Sequence, residues 1–482
     1  MQYKWIALSN TTIGTLMASL DRNIIVIALP TIATLLHTSL LTLVWIAIGY
    51  WVVTASVLLN FGRLADMFGR VRLYNIGFAL FTVGSALCSI SSTGEQLIVF
   101  RMVQAFGAAF LFSNSAAILT DSFPENERGR ALGLNQVSIV VGSVIGLMFG
   151  GFLTSYLGWR SIFWINIPIG VFATIWAYWK LRELGTIRRE KIDWLGNATL
   201  ATGLCLLLIG ITFASFQIFT SLQNFFIIVS GVVLIIIFYF IEKHEVRPMF
   251  DFSLFRIDLF TGGNIAIFLN ALARGAFTLV MAFYLQGSSM NLTPLEAGIY
   301  LIPVSVSLAL FAPITGWLFD RSNSRLFIPV GLVLSAIGFL MLSRIGPTIS
   351  FSSSILPLVL VGSGMGIFAS PNRAMIMSSV PSHRRGVAAA ISTTLVMMGS
   401  AFSIGMVFLI FTQVMPLHVV QTIFIGTSTT HTYLTKAMMV PEFMNALHLI
   451  FLISAILMLL SVIPSIARPH LGKKFLSFIG WS

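Results

Sequence analysis

The sequence predicts an all-α integral membrane protein with fourteen transmembrane helices, and three observations support this prediction. Of its 482 residues, 57% are hydrophobic and only 9% are charged, whereas a soluble chain carries roughly 25% charged residues. Long apolar segments recur along the whole chain, and the basic residues lie almost wholly between them. So few charges cannot cover a large water-facing surface, so we expect a lipid bilayer to surround most of the chain.

The apolar segments define the predicted helices, because windows of roughly 18–28 residues are long enough to span a bilayer. Their approximate limits are 5–30, 43–61, 73–92, 95–120, 131–155, 160–181, 194–215, 222–242, 260–287, 294–319, 326–344, 351–378, 384–412 and 443–467. The division of 194–242 into two helices depends on the short break at Phe216–Ser221.

The positions of lysine and arginine predict the orientation. With a cytoplasmic N-terminus, 21 of the 28 basic residues fall in cytoplasmic segments, three fall outside, and Arg22, Arg101, Arg274 and Arg373 fall within helices. We therefore expect a multi-pass plasma-membrane protein with both termini in the cytoplasm. The net charge of +12 then reflects topology, and we do not expect nucleic acid as a partner.

Two motifs occur twice in the chain. Gly62–Arg70 after helix 2 has a counterpart in Gly316–Arg321 after helix 10, and Glu127–Ala131 before helix 5 has one in Arg384–Ala388 before helix 13. The offsets of 254 and 257 residues fit two six-helix halves separated by two inserted helices, and repeated halves are a common transporter plan. The predicted domains are an N-terminal bundle over 1–182, two inserted helices over 183–250 and a C-terminal bundle over 251–482.

Five stretches of the first half carry further motifs. They are Leu20–Pro30, Gly62–Arg72, Arg101–Gly107, Gly142–Gly151 and Gly158–Gly170, and Tyr284–Gln286 and Ser370–Asn372 add support from the second half. Together they resemble the major facilitator superfamily, specifically its fourteen-helix drug:proton antiporter family, over nearly the whole chain. The sequence departs from the family pattern at Ala105, where glycine is usual, and at Leu147, where proline is usual in a motif tied to antiport.

The resemblance implies a major facilitator fold of two six-helix bundles plus two additional transmembrane helices. It also implies a proton-coupled exporter of amphipathic small molecules, of the multidrug type, that works by alternating access as a monomer. Its partners would be a small-molecule substrate, protons and the bilayer, with no cofactor or metal. The alternatives are a uniporter or symporter of an anionic metabolite or lipid, a non-transporting membrane protein and an intramembrane enzyme. No hydrolase or metalloprotease constellation occurs in the sequence, so we expect no enzymatic activity.

Asp21 is the only acidic residue predicted near the middle of a span. A charge there costs at least roughly 2.5–3.5 kcal/mol, and a carboxyl avoids the cost by binding a proton, as proton coupling requires. Arg101 is predicted at a similar depth, and the resemblance gives it a central role, with Gln104 on the same face. A fixed structural ion pair is the alternative. Arg22 points about 100° away from Asp21, so we expect it to serve another face.

The loop 2–3 motif predicts a latch on the cytoplasmic side. Gly62 and Gly69 allow a tight turn and close helix approach, and Asp66 can accept hydrogen bonds from N–H groups at a neighbouring helix start. Arg70 and Arg72 complete the motif. In the resembled family, the contact made by the aspartate of this motif ties the two halves together. The alternative is a basic loop that only sets the topology.

Glycines recur at close spacing in helices 4 and 5. Gly142, Gly146 and Gly150 fall four apart on one face, with Gly151 beside them, and Gly107 ends the helix 4 motif. Small residues at this spacing let backbones pack closely in lipid. Ordinary packing and a seal in the central cavity both explain the helix 5 glycines.

Polar residues in the second half are candidates for a substrate cavity. These are Asn270, Arg274, Gln286, Asn372 and Arg373. Arg274 lies near the predicted midplane, where exposure to lipid is expensive. Arg373 lies about a turn from the cytoplasmic end, so snorkelling to the interface is the alternative for that side chain.

Overall fold

A computed structural model describes residues 2–185, 193–216, 220–245, 248, 250–287, 289–322, 324–381, 384–425 and 433–466. Within these ranges the chain forms eighteen α-helices and one short 3-10 turn at Phe252–Arg256, and no strand. The helices are α1 Tyr3–Leu35, α2 Leu40–Phe68, α3 Arg70–Ser89, α4 Gly94–Ser122, α5 Glu125–Leu157, α6 Ser161–Trp164, α7 Asn166–Lys180, α8 Trp194–Ser215, α9 Ser221–His244, α10 Asp258–Arg274, α11 Phe277–Gln286, α12 Pro294–Tyr300, α13 Ile302–Ser322, α14 Phe327–Leu342, α15 Phe351–Ser378, α16 Arg385–Val414, α17 Leu417–Ile425 and α18 Tyr433–Ile466.

The helices confirm the predicted all-α membrane fold. Thirteen helical segments in the described part of the chain are long and apolar enough to cross a membrane. A fourteenth apolar helix, α14, has 16 residues, which is about 24 Å of helix against roughly 30 Å of hydrocarbon. The predicted count of fourteen is therefore approximately confirmed.

Three of the spans consist of two consecutive helices each: α6 with α7, α10 with α11, and α12 with α13. The break between α10 and α11 lies at Gly275 and Ala276, where the Ser403 hydroxyl of α16 accepts a hydrogen bond of 2.9 Å from the Ala276 N–H. A side chain thus satisfies a backbone donor that the break would leave unpaired in an apolar setting.

Contacts between residues gather the chain into two compact units. The first reaches Thr202 and includes Thr293–Ile299, and the second comprises Gly203–Leu292 and the residues from Tyr300 onward. The first unit contains α1 to α7. The predicted domain boundaries at 182/183 and 250/251 rest on the repeat spacing and stay predictions.

In the first unit, α1 runs along α5 at a distance that only glycine permits. A Cβ atom added at Gly142 would lie 2.6 Å from the Leu16 carbonyl oxygen, and one at Gly146 would lie 2.7 Å from the Leu20 oxygen. A Cβ at Gly150 would lie 2.8 Å from the carbonyl oxygen of Ile24 on α1. The predicted small-residue face of helix 5 is thus the face that contacts α1, over the stretch that carries Asp21.

Hydroxyl groups cross the same contact between α1 and α5. Thr15 Oγ1 and Ser138 Oγ lie 2.7 Å apart, and Ser19 Oγ lies 2.9 Å from Ser143 Oγ. Interhelical hydrogen bonds of this kind strengthen helix association in lipid. Together with the glycines, they fix the position of α1 along α5.

Helices α3 and α4 also pack closely. A Cβ atom at Gly107 would collide with the backbone of Phe81, and one at Gly84 would lie 2.7 Å from the Gln104 backbone nitrogen. The predicted helix 4 motif therefore serves this packing through Gly107, and it holds Gln104 against α3.

The segment between the last two spans carries α17, a short apolar helix over Leu417–Ile425. The sequence predicts a short lateral segment in the loop 413–442, and α17 lies in that region. Part of this predicted loop, residues 426–432, lies outside the described residues.

Candidate functional site

Asp21 lies near the middle of α1 and forms a buried ion pair with Arg101 of α4. Its Oδ2 atom is 2.5 Å from Arg101 Nη1. The Asp21 side chain has 0% of its surface exposed and Arg101 has 2%. The structure therefore brings together the two residues predicted for proton coupling.

Two amide side chains complete the surroundings of the carboxylate. Gln104 Nε2 and Asn166 Nδ2 each donate a hydrogen bond of 2.8 Å to Asp21 Oδ1. Gln104 also accepts a 2.7 Å bond from Arg101 Nη1 and donates one of 2.7 Å to Ser85 Oγ. The charged carboxylate thus receives three donors, and Gln104 links Asp21, Arg101 and Ser85 in one network.

The network supplies the carboxylate of Asp21 with three donors in a site without exposed surface. Breaking a buried pair by removing one partner typically costs 3–5 kcal/mol, because the other charge is left uncompensated. A proton on Asp21 removes the attraction to Arg101, so protonation and separation of the pair favour each other. The arrangement is one in which proton binding can change a helix–helix contact.

One acceptor beside the carboxylate is not used. Among the described residues, Asn166 Oδ1 is buried without a hydrogen-bond partner. Asn166 is the first residue of α7, directly after the break at Ile165. A neutral carboxylic acid is a donor, and rotation of this amide would present an acceptor to it.

Aromatic rings cover the guanidinium of Arg101. Its Cζ atom lies 4.4 Å from the Tyr50 ring centroid and 5.9 Å from that of Phe163. Cation–π contacts of about 2 kcal/mol or more are typical of desolvated sites, so the rings partly compensate the burial of the charge. They also separate the ion pair from its surroundings.

Arg22 does not compete for the carboxylate of Asp21. Its Cζ atom lies 4.8 Å from the centroid of the Trp51 ring on α2. This agrees with the expectation that Arg22 serves another face of the helix.

The predicted latch motif lies at the junction of α2 and α3. Gly69 joins the two helices with φ +102°, a left-handed conformation that favours glycine. Arg70 Nε donates a hydrogen bond of 2.8 Å to Asp66 Oδ1, and Arg70 Nη1 lies 2.8 and 2.7 Å from the two carboxylate oxygens of Asp121. Arg72 is exposed.

One part of the latch prediction requires correction, and one contact was not predicted. Gly62 is not in a turn, because α2 continues to Phe68, and a Cβ at this position meets nothing within 4 Å. The carboxylate at the start of α3 belongs to Glu183, which accepts hydrogen bonds of 3.0 and 2.9 Å from the N–H groups of Arg70 and Val71. A negative group at a helix start is favoured by the helix dipole. The predicted role of Asp66 between the two halves stays a prediction.

Gly151, the last glycine of the helix 5 motif, has a different neighbour from the other three. A Cβ atom there would collide with the carbonyl oxygen of Pro294 at the start of α12. The motif therefore serves two close contacts. The structure favours packing as its role, and a seal of the central cavity stays a prediction.

The polar residues of the second unit form separate contacts. Arg274 Nε donates a hydrogen bond of 3.0 Å to Asn270 Oδ1, and Asn270 Nδ2 lies 3.3 Å from Met458 Sδ. Asn372 is buried on α15, and its Nδ2 donates a 3.1 Å bond to the Gly263 carbonyl. Gln286 at the end of α11 and Arg373 on α15 are partly exposed. The predicted role of these five residues in a cavity stays a prediction.

Sequence reasoning missed Asn166, Tyr50 and Glu183 as members of the two sites. Asn166 lies within the Gly158–Gly170 motif, so its motif position was a usable signal. Tyr50 and Glu183 had no comparable signal, because their contacts depend on how distant helices meet. In the described part of the chain, no cluster of three His, Cys, Asp or Glu residues could hold a metal ion.

Comparisons with known proteins all point to one protein family. The sequence profile described as Major Facilitator Superfamily matches residues 11–404. The riboflavin transporter RibZ of Clostridioides difficile (strain 630) is 31% identical over 404 residues, which are 82% of this chain and 85% of that protein. The multidrug resistance protein Stp of Mycobacterium tuberculosis (strain CDC 1551 / Oshkosh) is 30% identical over 397 residues, covering 81% and 72% of the two chains.

Solved structures agree in fold. A bacterial homologue of the human lysosomal transporter Spinster, crystallised in an inward-facing and unoccupied conformation, matches with a TM-score of 0.67 and 15% identity. The match covers 98% of both chains. At this identity the likeness concerns the fold alone.

Proposed function

The chain belongs to the Major Facilitator Superfamily, and from this premise we propose that it is a proton-coupled secondary transporter. It exports amphipathic small molecules by alternating access and takes its energy from the proton gradient, without a cofactor. It acts as a monomer in the plasma membrane, with both termini in the cytoplasm. Membership of the family carries the transport function, and the coupling to protons rests on the site around Asp21.

The observation that carries the proposal is the enclosed carboxylate of Asp21. In the ionised form it has Arg101, Gln104 and Asn166 as donors. In the protonated form the Asp21 O–H needs an acceptor, and Asn166 Oδ1 is available for that bond. The same residues therefore accommodate both protonation states, as a proton carrier requires.

Protonation changes the contact between α1 and α4, because the ion pair is their closest polar link. A neutral Asp21 leaves Arg101 without its charged partner, and a buried unpaired charge is unfavourable. Arg101 then gains by moving to water or to a substrate. This is how proton binding would be converted into a change of access.

The cluster at the start of α3 supports the same cycle. Arg70 joins α3 to α2 through Asp66 and to α4 through Asp121, and Glu183 caps α3 from the segment after α7. We place this end of the unit on the cytoplasmic side, where it acts as a rigid base for the latch. Asp66 would then contact the second half when the outer side is open.

The names of the relatives support the proposed substrate class. One is named as a riboflavin transporter and others as multidrug resistance proteins. All of these names are compatible with small molecules that combine an apolar body with polar groups. We therefore assign this class to the chain, with Asn270, Arg274, Gln286, Asn372 and Arg373 as residues that would contact the substrate in the second half.

The test uses the full chain in proteoliposomes with an imposed proton gradient. Riboflavin, a lipophilic monocation and a neutral amphipathic dye are added one at a time, while a trapped pH indicator reports proton flux. We expect protons to move against the direction of a transported compound. Substrate flux without proton movement would identify a uniporter, and flux in the same direction would identify a symporter. Either result would contradict the proposal.

A further inference from the structure

Arg22 and Trp51 form a cation–aromatic pair next to, but separate from, the buried ion pair. The Arg22 guanidinium carbon lies 4.8 Å from the Trp51 ring centroid. Among the described residues, no carboxylate forms an ion pair with Arg22, since Asp21 is already bound to Arg101. The Trp51 ring stabilises the positive charge by lying against one face of the Arg22 guanidinium. The five N–H donors of Arg22 point outward in the plane of the guanidinium.

The partial exposure of Arg22 is local. On the same face of α1, Ala18, Ile25 and Leu29 have exposures of 0%, 1% and 0%, whereas Arg22 and Val26, one turn further on, are partly exposed. A helix face that met lipid along its length would expose all of these residues, because residues three, four and seven apart share one side. The open surface on this face of α1 is therefore limited to the turn of Arg22 and Val26, which we call the recess.

The α2 side of this recess likewise has one partly exposed residue among buried neighbours. Trp51 is partly exposed, whereas Ala47, Ala55 and Leu58, which share its side of α2, are buried. The recess thus offers an aromatic surface and a cation without a carboxylate partner among the described residues, in the middle of a membrane-spanning helix. A cation in such surroundings is costly without a partner, so a ligand that supplies the partner gains binding free energy.

The charge balance determines which ligand fits. Near the middle of α1 and α4, Asp21 and Arg101 cancel, and Arg22 leaves one net positive charge. The position of Arg22 repels cations and attracts anions whichever protonation state Asp21 adopts. Guanidinium donors match the oxygens of carboxylates and related anions in geometry as well as in charge.

We propose that Arg22 and Trp51 form a substrate subsite that binds the anionic group of a small amphipathic molecule, with Trp51 holding the guanidinium and Arg22 donating to the anion. The role of this subsite in substrate binding rests on the proposed transport function. The binding of an anion by Arg22 does not depend on proton coupling. It makes organic monoanions with an apolar body the preferred ligand class.

Equilibrium dialysis tests the proposal on the full chain in lipid nanodiscs, with empty nanodiscs as the reference for partitioning. The probes are 1-naphthaleneacetate and 1-naphthaleneacetamide, which have nearly the same size and apolar area but differ by one negative charge. We expect the carboxylate to bind about tenfold to a hundredfold more tightly, the range typical of a hydrogen bond to a charged group.

Three variants locate the effect. Arg22→Gln should bring the two affinities close together, and Arg22→Lys should keep a preference for the carboxylate, because it keeps the charge. Arg160→Gln is the matched control, since Arg160 forms the same kind of pair with Trp159 at 4.4 Å outside the long helices. It should leave the preference unchanged.

The results that would overturn the subsite differ from those that would overturn proton coupling. Failure of the wild-type chain to prefer the carboxylate would overturn the subsite, as would an unchanged preference in Arg22→Gln. If the preference depends on Arg22 but no protons move in proteoliposomes, the subsite stands and the antiport proposal falls. Arg22→Lys shows that a loss in Arg22→Gln comes from charge and not from misfolding.

Discussion

Replacing Gly146 by alanine places a methyl group in the close contact between α1 and α5, directly beside the residue that precedes Asp21. The added Cβ would lie 2.7 Å from the Leu20 carbonyl oxygen and 3.3 Å from Asn23 Cβ. Ordinary contacts begin near 3.4 Å, so α1 must move away by up to about 0.7 Å. A shift of that size disturbs hydrogen bonds that span 2.5 to 2.8 Å at Asp21.

A second glycine on the same helix separates the cost of overpacking from the gain in helix propensity. Overpacking typically costs about 1–3 kcal/mol, while replacing a helical glycine by alanine gains about 1 kcal/mol. Gly133 also lies on α5, and a Cβ there meets nothing within 4 Å. Gly133→Ala therefore receives only the gain, and Gly146→Ala should be less stable than Gly133→Ala by about 1–3 kcal/mol.

Titration with sodium dodecyl sulfate in mixed micelles measures the free energy of unfolding of both variants. Transport in proteoliposomes is measured in parallel, and we expect it to fall in Gly146→Ala but not in Gly133→Ala. Equal stability and equal transport in the two variants would refute the argument that the glycine contact positions Asp21.

Three further predictions concern the site, the latch and the substrate. Asn166→Leu removes one donor to the charged Asp21 and should lower proton-coupled transport about tenfold or more; unchanged coupling would show that Asn166 has no part in it. Asp66→Asn weakens the link to Arg70 and should reduce transport at equal expression while insertion stays normal, and wild-type rates would leave the motif with only a topological role. In a competition series matched for size, neutral, monocationic and anionic compounds should be handled better than dications, because the sequence predicts no acidic residue near the middle of a span in the second half to complement Asp21; a preference for dications would defeat this expectation.

The ion pair was predictable from the sequence because membrane helices restrict depth. Asp21 and Arg101 lie on neighbouring helices of opposite direction, and their distance from the helix ends places them at one level. A carboxylate at mid-depth also requires a partner, which leaves few choices. Gln104 followed from its spacing of three residues from Arg101.

The contact of Asn166 was not predictable, although its motif was recognised. The side chain reaches Asp21 because the sixth span is broken at Ile165 and a new helix starts at Asn166. Hydropathy windows show where apolar residues are, but they do not show breaks in the hydrogen-bond ladder. Sequence separation adds to the difficulty, since the two partners are 145 positions apart in the chain.

The latch motif shows a different limit. The predicted second helix ends at residue 61 because charged residues follow, whereas α2 continues to Phe68. Polar residues at the end of a span remain helical where water and partners satisfy them, so hydropathy shortens the predicted helix. Only Gly69 makes the turn between α2 and α3. Glu183, which accepts a hydrogen bond from the Arg70 N–H, lies 113 positions after Arg70 in the chain.

Proton flux driven by substrate in Asp21→Asn decides whether this carboxylate carries the proton. Asparagine cannot exchange a proton, so gradient-driven export should be lost while substrate binding and downhill exchange partly survive. Glu296→Gln is the matched control, because it neutralises an exposed carboxylate at the start of α12, and it should transport normally. Arg101→Ala should also uncouple transport, since it removes the ion-pair partner of Asp21. Full proton-coupled export by Asp21→Asn would show that Asp21 does not carry the proton.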